Sequence, residues 1–275
     1  MLSLIVLLIL VGIFAGTIGS MVGLGGGVII VPVLLFLGSI YGEIDITPQI
    51  AVGTSLVVVG VSSLSSSISY FKKGRVDASS AWLFFAASGP AAILGAYLNS
   101  LMSGGAFMLG FGLFMIAVSF LLMMRGKWTQ KKLRWTVTRT YRDPVSEESY
   151  TYGYTRTIAL IASFVVGMLA GLFGVGGGAL MMPVLLLLFH FPVHLAAATS
   201  MFMIFLSSIP GSVTHAYLGS IDWLLAVAIA PGAWVGGKLG SWLSLKMKGK
   251  TLVFVLRMML ILTGVKLIWD GVQAL

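Results

Sequence analysis

The sequence predicts an all-α integral membrane protein made of two inverted-topology repeats of about five hydrophobic segments each, and three observations carry that prediction. The first is composition: 58% of the 275 residues are hydrophobic and only 9% charged, with mean hydropathy +1.05, whereas a soluble domain has a charged fraction of about 25%. The second is a glycine-rich interruption that occurs twice, from Gly16 to Pro32 and from Gly167 to Pro183. Without a gap, Gly23, Gly25, Gly26, Gly27 and Pro32 fall on Gly174, Gly176, Gly177, Gly178 and Pro183. The third is loop charge, which changes sides between the two copies.

Crossing the hydrocarbon takes about 20 apolar residues as helix. Ten stretches qualify: 3–22, 24–40, 47–71, 79–99 and 105–124, then 157–173, 175–190, 194–217, 222–245 and 251–270. Eight to ten of these are expected to cross, the first two of each half being either full spans or re-entrant. The opening stretch Met1 to Leu10 has no basic n-region, so it reads as a mature membrane segment. Beyond the prolines, with six extra residues in the first copy, Ala51-Val52-Gly53-Thr54-Ser55 lies on Ala196-Ala197-Ala198-Thr199-Ser200. The same register sets Ser62-Ser63 on Ser207-Ser208 and Asp77 on Asp222. A further shift pairs Pro90 with Pro231, and these, with Pro210, are expected kinks. The repeats run 1–124 and 157–275.

An odd number of segments per repeat turns the second copy upside down. Lys72, Lys73 and Arg75 follow the third segment, but the matching loop Tyr217 to Ser220 carries no charge. Conversely, Lys246, Lys248 and Lys250 follow the ninth segment, and the matching Asn99 to Gly105 is uncharged. By the positive-inside rule the basic loops and the central linker 125–156 are cytoplasmic. The loop holding Glu43 and Asp45 and both termini are then expected outside. Within the linker, Arg134 to Arg142 and Ser149 to Thr157 alternate polar with aromatic or β-branched residues around Asp143-Pro144, the pattern of a small hairpin. Its basic residues with Trp128 and Trp135 are equally suited to anionic headgroups. The +9 net charge does not point to nucleic acid, because the basic residues sit in or beside short loops where topology accounts for them.

In lipid, backbone leaves helical geometry only inside protein or along a watery cavity. A run such as Gly23-Leu24-Gly25-Gly26-Gly27 is a poor helix interior, each Gly costing about 1 kcal/mol relative to Ala. A break is expected there and at Gly174-Val175-Gly176-Gly177-Gly178. The short segment after each break begins with free N–H groups carrying positive partial charge, and glycine lets an anion approach them. With the copies inverted, the two breaks enter from opposite faces and are expected to meet near the midplane, the arrangement that marks a transporter's site. Glycines upstream (Gly12, Gly16, Gly167, Gly171) read instead as packing faces.

Thr54-Ser55 and Thr199-Ser200 either donate to an oxyanion or bond between helices. His215, opposite Tyr70 in the repeat, is an anion donor or a satisfied buried histidine. Asp77 and Asp222 read as N-caps, and Lys266 stands toward the outer face where it could attract an anion. His190 and His194 have metal-like spacing, but Pro192 intervenes and no carboxylate is near, so no metal is expected. Zero Cys excludes disulfides and thiolate chemistry. No acidic residue falls mid-segment, so neither a carboxylate relay nor an enzyme, and no cofactor, is expected.

The doubled Gly-x-Gly-Gly-Gly followed by an apolar stretch and Pro32 or Pro183 resembles the sulfite exporter family TauE/SafE, also called toluene sulfonate uptake permeases. The likeness spans nearly the whole chain. Ala170-Gly171 departs from Gly19-Ser20 of the first copy. The resemblance implies a cytoplasmic-membrane carrier for small sulfur-containing anions such as sulfite or sulfonates; with the inverted breaks it is expected to be a secondary transporter with alternating access. It fixes neither the anion nor the direction. The anion would be bound by Gly23, Gly25, Gly26, Gly27, Thr54 and Ser55 of one repeat and by Gly174, Gly176, Gly177, Gly178, Thr199, Ser200 and His215 of the other. The expected partners are that anion and membrane lipid, and a homo-oligomer is compatible with them. The alternative is a non-transporting membrane scaffold that uses its glycine faces for helix packing alone.

Overall fold

Lipid offers backbone groups no hydrogen-bond partner, so apolar stretches satisfy their N–H and C=O groups by winding into helix. The computed structural model describes residues 2–41, 46–123, 135–142, 148–247 and 249–273. The elements are α1 (Leu2–Val22), α2 (Gly27–Tyr41), α3 (Pro48–Phe71), α4 (Ala78–Ser100) and α5 (Gly104–Met123), then β1 (Val137–Arg142) and β2 (Ser149–Tyr154). They continue with α6 (Arg156–Phe173), α7 (Gly178–Leu187), α8 (Val193–Tyr217), α9 (Trp223–Lys246) and α10 (Gly249–Gln273). Among the described residues, six helices are long and apolar enough to cross a membrane, namely α1, α3, α4, α6, α8 and α9. This is an all-α integral membrane protein with one small sheet.

Local chemistry sets the helix starts. Thr47 accepts from Ile50 N at 3.3 Å, with Pro48 in the first helical position, where its missing N–H is harmless. Asp77 and Asp222 cap α4 and α9 by accepting from Ser80 N at 3.1 Å and Leu225 N at 3.0 Å. Pro90, Pro210 and Pro231 lie inside α4, α8 and α9, which continue through them.

Close backbone contact then fixes helix directions. Along α1 and α9, Gly12 sits against Ile229 and Ala233, Gly16 against Ala233 and Gly236, and Gly240 against Thr17, so these helices run the same way. A methyl group on Gly12 would lie 2.4 Å from the Ile229 oxygen. Small residues are therefore what let these backbones touch. Helices α4 and α6 also run together, with Gly167 on Ser88 and Gly171 on Ala92 and Ala96. Helix α3 runs with α9, as Asp222 N bonds Thr54 and Ser65 bonds the Trp234 carbonyl. Helices α3 and α8 run oppositely, Gly53 lying beside His215 and Gly60 beside Ser208. So do α5 and α10, Gly112 lying beside Ile268 and Gly271 beside Leu109. Since α1 and α3 share a direction, α2 must return between them.

Strands β1 and β2 pair antiparallel from Val137↔Tyr154 to Arg142↔Ser149. The hairpin is anchored on the α4 start and the α7–α8 connection. Gly153 N donates to Phe189 O at 3.1 Å, Tyr154 packs on Phe84 and Phe189, and Tyr152 packs on Phe191. Trp135 lies on the ring of His190. The Glu43 and Asp45 loop, Trp128, the Asp143-Pro144 pair and Lys248 lie outside the described residues.

Candidate functional site

Helix α1 stops at Val22 because three of the next four residues leave right-handed helical geometry. Gly23, Gly25 and Gly26 take φ of +85°, +78° and +94°, and Gly174, Gly176 and Gly177 take +70°, +69° and +77°. A left-handed residue other than glycine costs about 1–2 kcal/mol, so three per break select glycine strongly. Gly27 and Gly178 are the first helical residues of α2 and α7. In the first break the chain doubles back: Leu24 N and Gly25 N both bond Gly19 O, at 2.7 and 3.2 Å. A methyl on Gly26 would lie 2.7 Å from Ala15 O.

The two breaks meet inside the molecule. A methyl on Gly27 would sit 2.4 Å from the Gly174 oxygen and 2.7 Å from Val175 Cα. The opening amides of a helix have no intrahelical carbonyl one turn back; in α2 Ile29 N and Ile30 N both reach Gly26 O, at 3.0 and 3.1 Å, and in α7 Met181 N reaches Gly177 O at 2.9 Å. The N-terminus of α2, with a partial charge of about +0.5, therefore begins against the second break, out of which α7 starts at Gly178.

The predicted polar residues hold this junction reciprocally. Ser55 Oγ donates to Gly174 O at 2.9 Å, and Ser200 Oγ donates to Gly23 O at 2.9 Å. Thr54 Oγ1 accepts from Asp222 N at 2.9 Å, and Thr199 Oγ1 accepts from Asp77 N at 3.1 Å. All four side chains are buried. His215 Nε2 lies 3.2 Å from Gly171 O, and its repeat counterpart Tyr70 donates to Ser20 O at 2.9 Å. Each hydroxyl of the two Thr-Ser pairs is thus engaged with backbone in this conformation, which is the interhelical alternative read from the sequence. Lys266 stands over the Phe36 ring, 4.3 Å from its centroid.

Two features went unread in the sequence. Gly25 and Gly176 both face Val59 and Ile204, a methyl on either glycine falling within 2.6–3.1 Å of the two side chains. The register that pairs Thr54 with Thr199 pairs these two as well, and that was the available signal. The other is Asp77, which is more than a cap: it also accepts from Arg139 Nη1 at 2.8 Å and Tyr152 OH at 2.9 Å. Among the described residues, the Asp222 side chain shows a cap alone. A cleft of 370 Å³ opens beside this network, bordered by Gly74, Thr140 and Leu195.

The profile of the family described as "Sulfite exporter TauE/SafE" matches residues 8–267. The chain belongs to that family. It is 47% identical over 269 residues to the "Probable membrane transporter protein YunE" of Bacillus subtilis (strain 168), covering 97% of this chain and 98% of that one. A "Probable membrane transporter protein" of Xylella fastidiosa (strain 9a5c) is 29% identical over 235 residues, with 86% and 81% of the two chains covered. The "Probable membrane transporter protein MJ0441" of Methanocaldococcus jannaschii is 27% identical over 277 residues, covering 96% and 95%. No solved structure matches the chain. In this TauE/SafE protein, then, the matched region takes in both breaks, both Thr-Ser pairs and the hairpin between α5 and α6.

Proposed function

We propose that this chain is a secondary transporter whose cargo is a small sulfur-containing oxyanion, taken between the two glycine breaks, with access alternating as one inverted half moves against the other. The observation that carries the reading is the junction itself, where the amide ends of α2 and α7 begin at Gly27 and Gly178 and Gly27 lies against Gly174. Support for inversion comes from the helix directions, since α3 and α8, and likewise α5 and α10, are repeat counterparts that run oppositely. The family description supplies the sulfur-anion class.

Magnitudes favour a carrier over a tight binder. A helix N-terminus is worth at most about 2 kcal/mol to an anion in a partly buried site, whereas dehydrating a charge costs several kcal/mol. Two such termini and a few hydroxyls leave a small surplus. Cargo that must leave on the far side requires weak binding.

The test is uptake of radiolabelled sulfite, and in parallel of a sulfonate, into liposomes holding the purified protein. Gly26→Leu together with Gly177→Leu is expected to abolish uptake in protein that still elutes as a folded species. Undiminished transport in that variant would move the binding site away from the breaks, and no uptake of either anion by the unmodified protein would leave the scaffold reading, in which the glycines only pack helices.

A further inference from the structure

We propose that Val59 and Ile204 form the steric gate between the two breaks, so that these two side chains set which anions pass. The inference rests on the transport reading above and names the residues that close the route.

The residues are repeat counterparts on α3 and α8, 0% and 1% exposed. Both lean on the same two glycines. A methyl on Gly25 would lie 2.8 Å from Val59 Cγ1 and 3.1 Å from Ile204 Cγ2, and one on Gly176 would lie 2.6 and 2.7 Å from the same two carbons. The two branched side chains therefore meet over bare backbone at the centre of the junction. Only glycine leaves them room to close.

Their neighbours on each helix are hydroxyls. On α3, Ser55 lies one turn before Val59, with Ser62 and Ser63 one turn after; on α8, Ser200 precedes Ile204, with Ser207 and Ser208 following. Spacings of three and four place these residues on one face. Ser62 Oγ is buried with no partner, although a buried hydroxyl ordinarily has one. Each helix thus carries a row of hydroxyls, engaged in this conformation except for that of Ser62, interrupted at one level by a side chain that offers none. A β-branched residue in a helix is held almost entirely in one χ1 rotamer. The barrier therefore opens by separation of α3 from α8, which lie in opposite halves, rather than by a side-chain flip.

The chain has no cysteine, so one introduced thiol reports on access without background. Val59→Cys in liposomes is treated with 2-sulfonatoethyl methanethiosulfonate, a membrane-impermeant organosulfur anion, with and without Ile204→Ala. Removing the opposing branched side chain weakens the packing that holds the route closed and raises the open fraction, so modification should accelerate by about tenfold. Ile204→Cys with Val59→Ala should mirror it, and Ile204→Val should fall between. A thiol at Ala159, buried in the first turn of α6, serves as the folding control. Unchanged rates at positions 59 and 204, or an equal rise at position 159, overturn the gate. If the gate responds but the unmodified protein carries neither sulfite nor a sulfonate, the cargo assignment falls and the gate stands. Where uptake is measurable, Val59→Ala with Ile204→Ala should raise sulfonate flux relative to sulfite, and an unaltered ratio also counts against the proposal.

Discussion

At the scale of single residues, Ser55 and Ser200 look equivalent in sequence but not in hydrogen bonding. Ser55 donates to Gly174 O alone among its recorded contacts, at 2.9 Å. Ser200 divides its one proton between Gly23 O and Ala197 O, both at 2.9 Å. Leaving a buried carbonyl without its donor costs about 1–3 kcal/mol, and losing a shared bond costs less. Ser55→Ala should therefore lower the unfolding midpoint in detergent more than Ser200→Ala, by about 1 kcal/mol. Equal or reversed effects would mean that the two breaks are held by something else. The positions themselves were legible in the sequence because hydroxyls recurred at one register. Their partners were not, since a hydroxyl that bonds a carbonyl of the other half is chemically identical to one that waits for an oxyanion. Val59 and Ile204 were invisible for a related reason: apolar β-branched residues are the background of a membrane helix.

At the scale of elements, glycine runs predicted both where helices stop and where they touch. Gly12, Gly16, Gly167 and Gly171 do sit at backbone crossings, and helix α1 does end before Gly23. What the sequence could not reveal is the docking of the β1–β2 hairpin on Asp77, because a capping Asp reads the same whether or not a strand lies over it. Two partners hold the hairpin there, and burial separates their weights. The Arg139 side chain is 36% exposed while that of Asp77 is 5% exposed, so solvent screens the ion pair to about 0.5–1 kcal/mol. The Tyr152 hydroxyl bond to the same carboxylate lies buried, and a bond to a charged group is worth about 1.5–3 kcal/mol. Tyr152→Phe should consequently release the hairpin to limited proteolysis more readily than Arg139→Ala. Burial and the neighbouring Asp77 push the Tyr152 hydroxyl well above its ordinary range. A raised value keeps the proton, so this contribution is intact below the unfolded tyrosine value of about 10 and fades only on rising through the higher folded value. Alkaline treatment to about pH 9 should leave the tyrosine's share of the docking unchanged.

At the scale of the whole molecule, the directions of the helices decide where the ends of the chain lie. Helices α1, α3 and α9 run one way, α4 and α6 run together, and α8 opposes α3 while α10 opposes α5. The short connection at 72–77 reverses the chain between α3 and α4, and α10 starts at Gly249 close after α9 ends at Lys246. Following these turns, α1 begins and α10 ends at one face, whereas α5 ends and α6 begins at the other, beside the hairpin. Lys72, Lys73, Arg75 and Lys246 all lie toward the hairpin face, and basic residues retained beside short membrane loops mark the cytoplasm. Reporters fused ahead of Met1 and after Leu275 should therefore both appear outside the cell, and one inserted in the linker at 143–147 should appear inside. The charge rule and the helix directions are independent, so the reporters test them separately. Termini on opposite faces would mean that one helix direction is wrong, and with it the inverted relation proposed between the two repeats. Termini together but cytoplasmic would leave the geometry intact and reverse only the face from which each break is reached.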